Sequence, residues 1–219
     1  MIQRRRILQS LGGIAAAVTA PTVLADTRTK IVIGQSAAMS GPAAQLGIQF
    51  AAGAKLMFDR INASGGINGK AIELKTLDDG YEPDRCAANT RKLIEEDVFA
   101  LFGYIGTPTS VAALPLATNA KIPFVAPFTG AQVLRDPFNR YAFHVRASYF
   151  DETARIVNQL YAVGMKNIAV FYQNDAYGQA GLAGVQRALA AVYSKPVALG
   201  TVERNTVDVA AAVKAIVPA

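Results

Sequence analysis

The 219-residue chain has no tryptophan, one cysteine and one histidine. A lone cysteine, Cys86, excludes an intramolecular disulfide even in an oxidising compartment. It sits in Asp84-Arg85-Cys86-Ala87-Ala88, a helical pattern, and is expected as a small buried or half-buried hydrophobe. The lone histidine, His144, lies between Phe143 and Val145 on a predicted strand and reads as structural. Ser/His/Asp chemistry would need it beside an activated serine, and no Gly-x-Ser-x-Gly elbow is present. The phosphate loop Gly-x-x-x-x-Gly-Lys-Ser/Thr is missing, as is Gly-x-Gly-x-x-Gly after a first strand. Nucleotide and dinucleotide binding are therefore disfavoured, and no cofactor is expected. There is no Lys/Arg cluster interleaved with aromatics, so nothing points to nucleic acid.

The first 25 residues stand apart. Arg4-Arg5-Arg6 make a positive start, Leu11 to Leu24 are mostly small and apolar, and Val23-Leu24-Ala25 fits a small-x-small cleavage signal before Asp26. This predicts an export signal peptide over 1–25, cleaved after Ala25. The apolar run is too short and too rich in glycine and alanine for a membrane span. Arg4-Arg5-Arg6-Ile7-Leu8-Gln9 also resembles the twin-arginine export motif, with Gln9 as a departure, so Sec and Tat routes both stay open. Loss of the three arginines lowers the formal charge from +6 to +3. No cysteine stands at the cleavage site, which disfavours a bacterial lipid anchor. In a Gram-negative host the expected location is the periplasm.

Beyond the leader, apolar strand-like runs alternate with helical patterns. Strands are expected near 30–36, 71–77, 98–103, 122–126, 141–145, 167–173 and 196–202. Helices are expected near 43–64, 84–97, 108–120, 150–164, 177–193 and 208–217. Phe50, Ala54, Met57, Phe58 and Ile61 recur at helical spacing and predict a core-facing stripe on the first helix. Strand and helix alternating in this way predict parallel sheets flanked by helices. The turn Asp136-Pro137-Phe138-Asn139-Arg140 reads as a crossover, which divides the chain into a first α/β lobe over 26–143 and a partial second lobe over 144–219. The second lobe holds only two full strands, few for a stable parallel sheet.

Four loops share one pattern. Met39-Ser40-Gly41-Pro42, Gly103-Tyr104-Ile105-Gly106-Thr107, Ala126-Pro127-Phe128-Thr129-Gly130 and Gln173-Asn174-Asp175-Ala176-Tyr177-Gly178 each follow a strand and precede a helix or turn. In open α/β sheets the ligand crevice lies outside those strand ends. Ser40 is expected to cap the first helix, with Pro42 in its first turn. Asp78-Asp79 could form a metal pair, but Asp78-Asp79-Gly80-Tyr81-Glu82-Pro83-Asp84 reads better as a polar loop ending in a cap at Asp84. Asp151-Glu152 suit a helix first turn, where acidic groups oppose the positive end of the dipole. Gly178, Gly181 and Gly184 read as a helix-packing face.

These residues resemble the leucine/isoleucine/valine-binding proteins, type I periplasmic solute-binding components of ABC importers. The resemblance spans most of 30–219. It rests on Met39-Ser40-Gly41-Pro42, Asn62-Ala63-Ser64-Gly65-Gly66-Ile67-Asn68-Gly69, the Asp78-Asp79 loop with Pro83, and Tyr177-Gly178. It implies a two-lobed fold closing about a hinge on a small solute, no enzymatic activity, a monomer, and a permease partner in the inner membrane. By that likeness Gly106, Thr107, Phe128, Thr129 and Gly130 of the first lobe and Tyr177 of the second fall at the ligand. Leu46 falls where amino-acid binders carry an aromatic. A cysteine pair found in some members falls at Tyr81 and Gly106, so that bridge is absent. The acidic partner of an amino-acid ammonium falls beyond Ala219, as though the chain were the first part of a longer protein. Phe128 adds aromatic surface where the amino-acid binders are small. The solute is thus expected to be a branched-chain amino acid or a related carboxylate, amide or aromatic acid. The alternative is a ligand-sensing module of the same fold in a signalling system. An exported hydrolase lacks a visible nucleophile.

Overall fold

A computed structural model describes residues 29–219. The predicted leader and its cleavage position, Ala25, lie outside the described residues. In chain order the elements are β1 (Lys30–Ala37), α1 (Ala44–Ala63), β2 (Ala71–Asp78), α2 (Pro83–Glu95), β3 (Ala100–Phe102), α3 (Thr107–Asn119), β4 (Phe124–Val125), β5 (Ala142–Phe143), α4 (Tyr149–Ala162), β6 (Val170–Gln173), α5 (Ala176–Ala190), β7 (Leu199–Val202) and α6 (Ala210–Ile216). All the anticipated strands and helices are there. The one addition is a 3-10 turn at Gln132–Leu134.

The first five strands form one parallel sheet in the order β2-β1-β3-β4-β5, and β6 and β7 pair in parallel as a second sheet. β1 and β2 run together for their full length, from Lys30 opposite Ala71 to Ala37 opposite Asp78. β3, β4 and β5 are shorter than the sequence pattern suggests. β3 stops just before Gly103, φ +64°, and β4 just before Ala126, φ +51°. A left-handed residue turns the chain out of the ladder before the apolar run is exhausted.

Strand order reverses at β1, whose neighbours are β2 on one side and β3 on the other. The connections therefore leave the carboxyl ends of β1 and β3 in opposite directions and open a crevice between them. This fixes where a site can form. The main core lies beside that sheet and includes Cys86, Leu93, Leu101, Tyr104, Ala113, Ala117 and Phe124. Cys86 is fully buried there, as expected, and burial pushes its thiol well above the ordinary range. Between α4 and α5 a much smaller core gathers Val157, Ala188 and Leu189.

Several local readings change. Ser40 does not cap α1, which starts at Ala44 after Ala43 with no side-chain cap. Pro42 accordingly precedes the helix. The Ser40 hydroxyl instead donates to Asp78 Oδ2 at 2.6 Å. The cap position of α2 is Glu82, with Asp84 inside the first turn. Of the stripe on α1, Phe50 and Phe58 pack on Phe102, each with ring centroids 5.8 Å apart, but Met57 is 53% exposed. Two of the three helical glycines are packed. A Cβ on Gly178 would meet the Gln173 carbonyl oxygen at 1.8 Å, and one on Gly184 would meet Thr153 Oγ1 at 2.4 Å, whereas Gly181 faces open space.

Candidate functional site

The loop Met39 to Pro42 is held from outside. Asp78, at the end of β2, takes the backbone N–H of Met39 at 2.9 Å and of Ser40 at 3.2 Å through Oδ1, and the Ser40 hydroxyl through Oδ2. It also accepts from the Gly80 N–H at 2.9 Å and faces Arg85 at 3.3 Å. Burial alone would raise its carboxyl, but these hydrogen bonds and Arg85 outweigh burial and hold it at about 2. Asp79 points the other way, into the fold. It accepts from the Ser36 hydroxyl at 2.7 Å and the Tyr81 N–H at 2.8 Å, and burial raises its carboxyl. The two side chains are occupied separately in positioning loops.

The loops so fixed surround a cavity of about 320 Å³. Pro42, Ala43 and Leu46 come from the start of α1, Tyr81 from the loop after β2, Ile105 and Gly106 from the loop after β3, and Phe128 from the loop after β4. Tyr149 opens α4. The second sheet contributes Gln173 and Tyr177 around the start of α5, and Asn205 and Thr206 after β7. Every lining residue is uncharged. Four are aromatic and stand close together. Tyr149 and Tyr177 meet edge to face with centroids 5.8 Å apart. The Arg146 guanidinium lies 5.1 Å from the Phe128 ring centre and 5.2 Å from that of Tyr149. Glu152 takes that guanidinium in two bonds of 2.7 Å each, so its charge is matched outside the cavity. Burial and then the Asp175 carboxylate push the Tyr81 hydroxyl up, while burial and then Tyr149 do so for Tyr177. Both hydroxyls stay protonated at neutral pH and can donate to a bound acceptor.

Of the residues expected at the ligand, Leu46, Gly106, Phe128 and Tyr177 line the cavity. Thr107, Thr129 and Gly130 stand behind its wall. Thr107 and Thr129 are fully buried with their hydroxyl oxygens 2.6 Å apart, and Thr129 Oγ1 also accepts from the Ala131 N–H at 3.2 Å. Gly130 allows α4 to approach. A Cβ there would lie 2.6 Å from Tyr149 Cδ1, and its carbonyl takes the Tyr149 N–H at 2.7 Å. His144 is outside the cavity, with Nε2 3.0 Å from the Leu134 carbonyl oxygen. Burial and then Arg135 lower its imidazole, which favours the neutral form.

Sequence reasoning did not single out Tyr81, Tyr149, Gln173, Asn205 or Thr206 as lining residues. Gln173 closes β6 and belongs to one of the four strand-end loops, and Asn205-Thr206 follow β7, so both carry the strand-end signal. Tyr149 had no such signal, because it reaches the cleft only through the crossover from β5.

With the cleft defined, comparison with known proteins decides the family. The periplasmic binding protein family matches residues 30–219. The chain belongs to that family. An amino acid binding protein of Pseudomonas aeruginosa is 32% identical over 163 residues, covering 72% of this chain and 42% of that protein. The Leu/Ile/Val-binding protein of Escherichia coli is 26% identical and covers 82% of this chain and 48% of its own length. Among solved structures, a possible leucine/isoleucine/valine-binding protein from Rhodopirellula baltica superposes with a TM-score of 0.80 at 39% identity, over 86% of this chain and 53% of that one. A substrate-binding periplasmic protein from Ralstonia solanacearum gives 0.78 at 35% identity, over 84% and 53%. The fold is that of the type I periplasmic binding proteins, and the chain spans about half the length of the relatives it matches. Among the described residues no helix is long and apolar enough to cross a membrane.

Proposed function

We propose that this periplasmic binding protein is the exported, non-enzymatic solute receptor of an ABC importer. It would capture one small amphipathic solute between a first lobe ending near residue 143 and a second lobe beginning at 144, and pass it as a monomer to an inner-membrane permease. The observation that carries this reading is the cavity itself. Loops from strand ends of two separate sheets meet around it, and its lining is aromatic and uncharged. Such a wall suits a flat apolar body with a polar head, since pockets of this kind bury apolar surface and use few polar groups for orientation. The hydroxyls of the lining tyrosines offer hydrogen bonds to that head. The four aromatic rings of this wall favour an aromatic or amphipathic carboxylate or amide over a branched-chain amino acid.

Calorimetric titration with benzoate, benzamide and leucine tests it. Heat of binding from benzoate or benzamide, reduced at least tenfold in affinity by Phe128→Ala, supports the proposal. Saturable binding of leucine alone overturns the solute class.

A further inference from the structure

The loop after β7 crosses the cleft and grips the loop after β2. Arg204 Nη2 donates to Glu82 Oε2 at 3.0 Å, and Asn205 Nδ2 donates to Glu82 Oε1 at 2.7 Å and to the Gly80 carbonyl at 3.1 Å. Both carboxylate oxygens of a first-sheet residue are thus taken by the second sheet's loop. Arg204 also faces inward along its own side of the cleft. Its Nη1 lies 3.6 Å from Asp175 Oδ2. Asp175 caps α5, accepting the N–H groups of Tyr177 at 2.9 Å and Gly178 at 3.3 Å through Oδ1, and it takes Gln173 Nε2 through Oδ2 at 2.5 Å. One guanidinium therefore links the far wall of the cleft to the turn that presents Gln173 and Tyr177 to the cavity.

Arg204 Nε is buried with no hydrogen-bond partner among the described residues, an arrangement native proteins rarely keep without a reason. Asp175 is 10% exposed and Arg204 26%, so the inner pair is shielded, while Glu82 at 42% stays open to salt.

We propose that Glu82, Arg204 and Asp175, with Asn205, form a charge clamp that draws the cleft closed before solute arrives, and that Arg204 is the positioning residue joining its two walls. Apparent affinity rises in proportion to the fraction of molecules in the binding-competent form, because the apparent Kd is the intrinsic Kd divided by that fraction. The clamp would set that fraction, a consequence that rests on the solute-binding reading. The clamp itself does not, because closure is measured without solute.

Small-angle scattering on the full 219-residue chain, without solute, tests it at about 0.01 M and about 1 M salt, where the screening length is about 30 and about 3 Å. The expected result is a larger radius of gyration at high salt. Glu82→Gln and Arg204→Met should show that larger radius at both salts. Arg204→Lys, which can reach one carboxylate at a time, should retain part of the salt response. Circular dichroism equal to the parent's checks that the variants are folded. A parent radius that does not change with salt overturns the clamp without reference to any variant. Folded variants that scatter like the parent at low salt overturn it as well.

Discussion

The ring of Tyr81 occupies the space a side chain on residue 106 would need: a Cβ there would lie 2.1 Å from Tyr81 Cε2. Gly106 also has φ +89°, a conformation that strains any other residue. The pair joins the loops after β2 and β3 by ring against backbone, at the two positions where some relatives were expected to carry a disulfide. Gly106→Ala combines a backbone penalty with overpacking and should destabilise the fold by about 2–4 kcal/mol. The urea midpoint measures the loss. Gly106→Ala should cost less in a Tyr81→Ala background than in the parent, leaving the backbone part alone, and an equal cost in both backgrounds would refute the ring contact as the cause.

Thr107 and Thr129 share one hydrogen bond in a dry setting. Thr107→Ala should lower stability by about 1–3 kcal/mol, because it removes the buried hydroxyl partner of Thr129. Replacing both threonines by valine should cost less than the sum of the two single changes, as partners in one bond do not add. The urea midpoints of the two single variants and the double form the cycle. Strict additivity would mean the two hydroxyls act independently.

Asp78 predicts a pH dependence with a definite sign. Its carboxyl sits at about 2 in the folded chain, below the ordinary 3.8. Between those values the unfolded chain binds more protons, so stability rises with pH. The contribution is complete above about pH 4 and fades as pH falls toward 2. Asp78→Asn should lose about 1–2 kcal/mol at pH 7, after allowance for solvent screening, and should narrow its deficit as pH falls through that window. Asp79 runs the other way, because burial raises its carboxyl and its ionisation weakens the fold as pH rises. The difference in melting temperature between parent and Asp78→Asn at each pH isolates Asp78 from this opposing effect. A constant difference from pH 2 to 5 would rule out the assignment.

The export leader proposed over residues 1–25 makes a separate prediction. The exported protein should begin at Asp26, which amino-terminal sequencing of periplasmic material reads directly. Recovery there of protein retaining Arg4 to Arg6 would contradict cleavage after Ala25.

Much of the architecture was legible because apolar runs and helical spacing are local properties of the chain. The α1 limits, Ala44–Ala63, fall within a residue of the pattern. Periodicity marks a helix face without saying how far that face is covered: Met57 is 53% exposed, whereas Phe50 and Phe58 on the same face pack on Phe102 of the sheet. Ser40 was misread for a related reason. A serine ahead of a helix is a good cap, yet Asp78, 38 positions away in sequence, is a charged acceptor brought alongside by strand pairing. At the cleft, the loops at strand ends are visible in sequence, and the resemblance to the binding-protein family singles out Leu46, Gly106, Phe128 and Tyr177, which line the cavity. Tyr149 and the Arg204 crossing could not, since a change of sheet places them.

The eight-residue pairing of β1 with β2 acts as a ruler for the cleft. Because Ala37 lies opposite Asp78, the carboxylate reaches Met39 and Ser40 just beyond the strand and sets the wall at Pro42 and Ala43. One residue added within Ala71–Asp78 would move that anchor by about 3.3 Å and turn its side chain to the other face of the sheet. The same residue added at the turn over 64–70 would leave the ruler unchanged, so the dimensions of the binding cleft are encoded in strand length rather than in the loops that line it.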